Sequence, residues 1–170
     1  MEKIEMTNFD LKQIADSGQC LRMTRISENG WSAISETHRL EIFQNGKELL
    51  LDCPENELAY WKNYFDLDTD YAAFIRSIPE EDTYLTKAAA SGDGIRILRQ
   101  DLWEMMVTFL LSQQKTIPKI REAVELLSAH YGTPLPDASK KAGKVFFTFP
   151  TPEELGHATL DDLTSLKLGY

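Results

Sequence analysis

Apolar and polar positions alternate through the first third of the chain and then recur at helical spacing. Gln19–Ile26 reads as a strand, followed by the turn residues Ser27-Glu28-Asn29-Gly30. Trp31–Ser35 and Arg39–Phe43 alternate or run apolar, as strands do. Asn45-Gly46 marks a hairpin, because a tight primed turn needs residues that tolerate positive φ, and Leu49–Leu51 is its returning strand. These segments predict a small antiparallel sheet over roughly residues 9–53.

After Pro54 the period becomes helical. Leu58, Trp61 and Phe65 fall on one face, as do Tyr71, Phe74, Ile75 and Ile78 before Pro79. Asp82–Ser91 is a short helix stopped by Gly92 in Ser91-Gly92-Asp93-Gly94. Asp101, with Glu104 three positions on, has capping-box spacing. The helix it opens is expected to carry Leu102, Met105, Met106, Phe109 and Leu110 on its apolar side. Thr116 is placed to cap the next helix, with Pro118 in its first turn and Ile120, Val124 and Leu127 on its buried side. Residues 133–148 read as a loop, and Thr151 and Thr159 each begin a short helix. The fold class is therefore α+β: a small twisted antiparallel β-sheet domain over 1–53, followed by a helical domain over 54–170.

Composition narrows the function. At 170 residues the chain can bury a core, and 42% hydrophobic with 26% charged residues is that of a globular protein, not a disordered tail. No apolar run approaches the ~18 residues of a membrane span, and the opening Met1-Glu2-Lys3-Ile4-Glu5 lacks the features of a secretory signal. Cys20 and Cys53 have no metal-like spacing, and His38, His130 and His157 are scattered, so no metal and no cofactor is expected, and a reducing cytoplasm fits best. The net charge of −9 argues against phosphate binding by the chain as a whole. That charge is uneven: Gln113 to Arg121 holds no acidic residue but carries Lys115, Lys119 and Arg121. By composition alone this stretch is a solvated helix start.

Three segments carry more. Phe9-Asp10-Leu11 precedes Ser17-Gly18-Gln19-Cys20-Leu21-Arg22, in which Gly18 opens a strand and, lacking Cβ, lets the backbone approach a neighbour closely. Ile97-Leu98-Arg99-Gln100-Asp101 precedes the long apolar helix, and Leu111-Ser112-Gln113-Gln114-Lys115-Thr116-Ile117-Pro118-Lys119-Ile120 follows it. The chain closes on Leu166-Lys167-Leu168-Gly169-Tyr170. In this order and at these separations, the three resemble the 8-oxoguanine DNA glycosylases of the helix-hairpin-helix superfamily, over essentially all of Phe9 to Tyr170.

The resemblance implies roles. Gly18 matches the glycine whose carbonyl accepts a hydrogen bond from N7–H of the lesion, which normal guanine lacks. Gln114 matches the amide that fills the gap left by the flipped base, where eukaryotic relatives carry Asn. Lys119 matches a basic residue, usually Arg, that contacts the orphaned cytosine; Lys cannot reproduce a bidentate Arg contact. Tyr170 matches the aromatic wedge beside the lesion. Leu21 stands where the family often has Phe.

The family's catalytic lysine, in a Leu-Pro-Gly-(Val/Ile)-Gly-x-Lys-like run, and its downstream aspartate match nothing in this sequence. Lys115 is not assigned as the nucleophile. The expectation is the N-terminal portion of a base-excision repair glycosylase and AP lyase, its helical domain incomplete without the helix-hairpin-helix, inactive by itself, and acting in its parent on damaged double-stranded DNA. Self-association through apolar surface that the parent would cover is also expected. The Ser112-Gln113-Gln114 turn equally resembles the alkylated-base glycosylases of the superfamily, while a non-catalytic partner-binding module would suit the negative charge.

Overall fold

The computed structural model describes residues 1–135, 145–166 and 168. Strands β1 (Glu2–Glu5), β2 (Met23–Arg25), β3 (Gly30–Ser35), β4 (His38–Asn45) and β5 (Glu48–Asp52) form one sheet in the order β1-β5-β4-β3-β2. Helices α1 (Leu11–Asp16), α2 (Leu58–Tyr64), α3 (Tyr71–Arg76), α4 (Thr83–Ser91), α5 (Leu102–Ser112), α6 (Ile117–Tyr131), α7 (Pro152–Leu155) and α8 (Leu160–Ser165) complete the α+β fold.

The sheet's alternation is that of a half-buried surface. In β4, Leu40 and Ile42 are buried, and in β5, Leu49 and Leu51. β4 and β5 pair antiparallel, with Ile42 opposite Leu51 and Gln44 opposite Leu49, and Gly46 takes the positive φ of +60° that the Asn45-Gly46 signal predicts. β5 also pairs antiparallel with β1, Ile4 opposite Leu49.

Three features depart from the sequence pattern. β1 adds a strand ahead of the expected sheet. Within the expected sheet, residues 11–16 form a helix: Asp10 Oδ1 accepts from Gln13 N, and Leu11, Ile14 and Ala15 are buried at i, i+3 and i+4. The strand expected over 19–26 shortens to Met23–Arg25.

The chain packs as two compact units, each discontinuous in sequence. The first comprises 1–20, 24–32 and 40–99. Its core includes Leu11, Ile14, Leu40, Ile42, Leu49, Leu51 and the α2 rings of Trp61 and Tyr64 with the adjoining Phe65. Tyr64 and Phe65 meet edge to face at 5.1 Å, and Phe9 meets Phe65 at 6.0 Å.

The second unit comprises 21–23, 33–39 and 100–170. Ile120, Val124 and Leu127 of α6 and Phe149 form its buried cluster, with Trp103, Val107 and Leu111 of α5 packed against it. This corrects the expected apolar face of α5. Leu102, Met105, Met106, Phe109 and Leu110 are exposed, Leu102 and Phe109 at 70% each. The core side is instead the i, i+4, i+8 row of Trp103, Val107 and Leu111. Helix α5 is apolar on both faces, a pattern of helices buried all round.

The expected cap forms at α5, where Asp101 accepts from Glu104 N, and Asp82, read as the first residue of its helix, caps α4 by accepting from Leu85 N. Both Thr151–Glu154 and Thr159–Asp162 make full capping boxes. Thr116 is the N-cap of α6 by position, but its side chain makes no capping hydrogen bond.

Candidate functional site

The Gly18 turn belongs to the first unit. Helix α1 ends at Ser17, and Gly18 follows with φ +80°, a left-handed conformation that costs glycine little and other residues more. Gly18 therefore closes a helix, where the pattern had it open a strand. Ser17 Oγ donates to Ile14 O at 2.7 Å and accepts from Gln19 Nε2 at 3.1 Å. Gln19 Nε2 also donates to Arg96 O at 2.9 Å, while Gln19 Oε1 accepts from Leu98 N at 3.0 Å. One residue further on, buried Cys20 receives the Tyr64 hydroxyl at 3.1 Å.

The segment that Gln19 grips is itself fixed. Buried Arg96 donates to Asp66 O at 2.6 Å, to Thr69 O at 3.1 Å and to Asn8 O at 3.2 Å, and stacks over Tyr71 at 4.5 Å. Arg99 donates twice to Asp66 Oδ1, at 3.0 and 2.8 Å. Burial pushes the Asp66 carboxyl up, but hydrogen bonds from Thr69, Arg99 and Tyr71 outweigh it and hold the group below its ordinary value. Gly94, at φ +87°, lies so close to Asp10 that a Cβ would sit 2.6 Å from its backbone nitrogen. The Arg-Gln-Asp match at 99–101 thus begins with an arginine that pairs with Asp66.

Arg22, the last residue of the first motif, lies in the second unit with its side chain fully buried. Its Nε pairs with Glu125 Oε1 at 3.2 Å, and its Nη2 donates to Phe147 O at 2.6 Å.

In the same unit, residues 113–116 join α5 to α6. Gln114 is exposed and takes φ +58°, unusual for a residue with a side chain and worth on the order of 1 kcal/mol of strain. Lys115 Nζ donates to Leu111 O at 2.7 Å, which closes the end of α5 and leaves that lysine a structural part. Lys119 is exposed on the first turn of α6 and pairs with Glu122 at 2.6 Å. Gln114 and Lys119 are thus both presented to solvent at one helix junction. Tyr170 lies outside the described residues.

A cavity of about 670 Å³ in the second unit was not foreseen from the sequence. Trp103, Glu104, Leu135, Thr148, Phe149 and Glu36 are among its walls. Trp103 Nε1 donates to Pro150 O at 2.9 Å. Glu104 is pushed up to about 7, first by burial and then by Asp101, Glu125 and Glu36, with Arg22 opposing. The only trace of this in the sequence is Glu104 following an apolar Leu102-Trp103 pair. Among the described residues, no group of three or more His, Cys, Asp or Glu is placed to hold a metal ion, and no helix is long and apolar enough to cross a membrane.

The family described as 8-oxoguanine DNA glycosylase, N-terminal domain, matches residues 3–106. An N-glycosylase/DNA lyase of Saccharomyces cerevisiae is 32% identical over 110 residues, which are 63% of this chain and 28% of that protein. The solved structure of MBOgg1 in complex with a low affinity DNA ligand is 32% identical, with a TM-score of 0.89 over 99% of this chain and 57% of that one. The Clostridium acetobutylicum 8-oxoguanine glycosylase/lyase, in complex with double-stranded DNA containing cytosine opposite 8-oxoG, is 30% identical, with a TM-score of 0.87 over 100% of this chain and 61% of that one. The chain therefore spans under a third of the yeast relative and about three fifths of each solved relative.

Proposed function

The chain belongs to the 8-oxoguanine DNA glycosylase family, and from that premise we propose that it is the lesion-recognition portion of a base-excision glycosylase and AP lyase acting on 8-oxoguanine in duplex DNA. The observation that carries this reading is Gly18, held at positive φ in a turn clamped on both sides and set in the Ser17–Arg22 match. A backbone carbonyl is an obligatory acceptor. It rewards N7–H of the oxidised base and meets a bare acceptor in guanine, a mismatch worth about 1–3 kcal/mol when buried.

At the α5–α6 junction, the exposed Gln114 amide offers donors and acceptors to base edges left unpaired by flipping. Lys119 supplies a point charge toward the opposite base in exchange for its pairing with Glu122, without the two-pronged contact of an arginine. Tyr170 is assigned the wedge role on its sequence match. Damaged double-stranded DNA is the proposed partner, in a reducing cytoplasm that suits two cysteines outside any disulfide. The alkylated-base alternative is not favoured, since the family match and the solved relatives point to 8-oxoguanine.

The lysine and aspartate that the resemblance implies for chemistry match no residue of this chain, so the chain alone is expected to be inactive. The test compares it with the full gene product on a duplex holding one 8-oxoguanine opposite cytosine. Borohydride reduction would trap any Schiff base between a lysine and sugar C1′. A cross-link and strand cleavage with the gene product alone is the expected result. Base release by the 170-residue chain would overturn the assignment of inactivity, and failure of both proteins would overturn the substrate.

The exposed α5 face, with Leu102, Met106, Phe109 and Leu110, supports a second proposal, that the isolated chain self-associates. Sedimentation should give a mass above that of the monomer at high concentration, and Phe109→Glu should return it to the monomer. A monomer at every concentration would refute this.

A further inference from the structure

The geometry points to Gln19 as a positioning residue for lesion selectivity, holding the Gly18 carbonyl in place by gripping the Arg96–Leu98 backbone. This inference rests on the reading of Gly18 as the lesion contact. A turn glycine adopts many conformations at little cost, so a glycine asked to present one carbonyl direction needs external restraint. Helix α1 supplies one side of it through Ser17 Oγ and Ile14 O. The other side is the Gln19 amide, which offers a donor and an acceptor two atoms apart. Its Nε2 meets Arg96 O at 2.9 Å and its Oε1 meets Leu98 N at 3.0 Å, so the side chain mimics one rung of a sheet against an extended segment.

That segment cannot yield easily. The Arg96 guanidinium is buried under three carbonyls, and Arg99 is locked on Asp66. The peptide carrying the Gly18 carbonyl also carries the Gln19 nitrogen, which donates to Ser17 Oγ at 3.4 Å. Moving the Gln19 side chain therefore moves the peptide plane that the lesion would read.

Gln19→Met keeps the length of the side chain and removes its hydrogen bonds to Arg96 O, Leu98 N and Ser17 Oγ, and Gln19→Glu keeps only the acceptor. Residual dipolar couplings and the carbonyl shift of Gly18, measured in the 170-residue chain without DNA, report the peptide plane directly. Both should change in Gln19→Met, and less in Gln19→Glu, while probes in β4 and β5 stay put. In the full gene product, the ratio of affinities for duplexes holding 8-oxoguanine or guanine opposite cytosine should fall about tenfold, the effect of losing roughly one net hydrogen bond's worth of discrimination. A purely structural role would lower the melting temperature and both affinities without changing their ratio.

Gly18→Ala, measured alongside, separates the two ways of failing. An unmoved Gly18 peptide in both Gln19 variants overturns the positioning role, and the reading of Gly18 survives if Gly18→Ala loses selectivity. A moved peptide with full selectivity also overturns it. If Gly18→Ala then keeps selectivity too, the lesion contact itself was misassigned. Should Gln19→Met not fold, Gln19→Glu carries the same comparison.

Discussion

Replacing Arg22 with alanine is expected to cost about 2–4 kcal/mol of folding free energy, among the largest effects of any single substitution in the second unit. The guanidinium is fully buried and holds two different partners. Phe147 O loses a donor at 2.6 Å, and Glu125 loses its cation at 3.2 Å. Glu125 is 45% exposed, so water takes over much of its solvation and the ion pair is the smaller part of the loss. The larger part is the orphaned carbonyl and the void left by the aliphatic stem. Arg22→Met keeps most of the stem and should recover part of the loss, whereas Glu125→Gln should cost under about 1 kcal/mol. Urea unfolding at neutral pH measures all three. A cost below about 1 kcal/mol for Arg22→Ala would mean that the guanidinium contributes nothing net to the folded unit.

Arg22 shows what a motif match conceals. Within the six residues Ser17–Arg22, Gly18 is the candidate reader, Gln19 and Cys20 tie the turn to neighbouring backbone and to Tyr64, and Arg22 anchors a different unit. Spacing alone cannot apportion these roles, because each depends on partners roughly 40–125 positions away in the chain.

Signals that act within a few residues were legible: the Asn45-Gly46 hairpin, the Asp101 cap, and the Thr151 and Thr159 capping boxes. Helix α1 was not, since six residues fill less than two turns and its flanks read as strand. Helix α5 misled for another reason. With apolar residues on every face, periodicity could not say which row would meet α6, and packing chose Trp103, Val107 and Leu111. The conformations of Gly18 and Gln114 are set by closure of a helix and by a four-residue junction, and only that of Gly18 had a residue type to announce it.

The cavity beside α5 was invisible to sequence reading because it is made by tertiary burial, and it yields a prediction tied to pH. Glu104 has its carboxyl pushed up to about 7 from an ordinary 4.5, by burial first and by the carboxylates of Asp101, Glu125 and Glu36 after it. A carboxyl with a raised folded-state pKa binds a proton in the folded chain where the unfolded chain has already lost it. Stability is therefore greatest below about pH 4.5 as far as this group is concerned, falls as pH rises toward about 7, and is level beyond. At roughly 1.4 kcal/mol per pH unit the full fall is on the order of 3 kcal/mol. Glu104→Gln should abolish this slope and stabilise the chain above pH 7 by a similar amount, because a neutral amide suits the half-buried position without the charging cost. Arg22 opposes burial and the three carboxylates, so Arg22→Met should carry the fall to still higher pH, coupling the two sites in a double-mutant cycle. Denaturant titrations of the wild type, Glu104→Gln, Arg22→Met and the double variant across this range would decide it. A slope that survives in Glu104→Gln would place the titrating group elsewhere. A slope that vanishes there, and shifts upward without Arg22, would show that ionising the Glu104 carboxyl in this cavity costs folding stability as the pH rises to neutral.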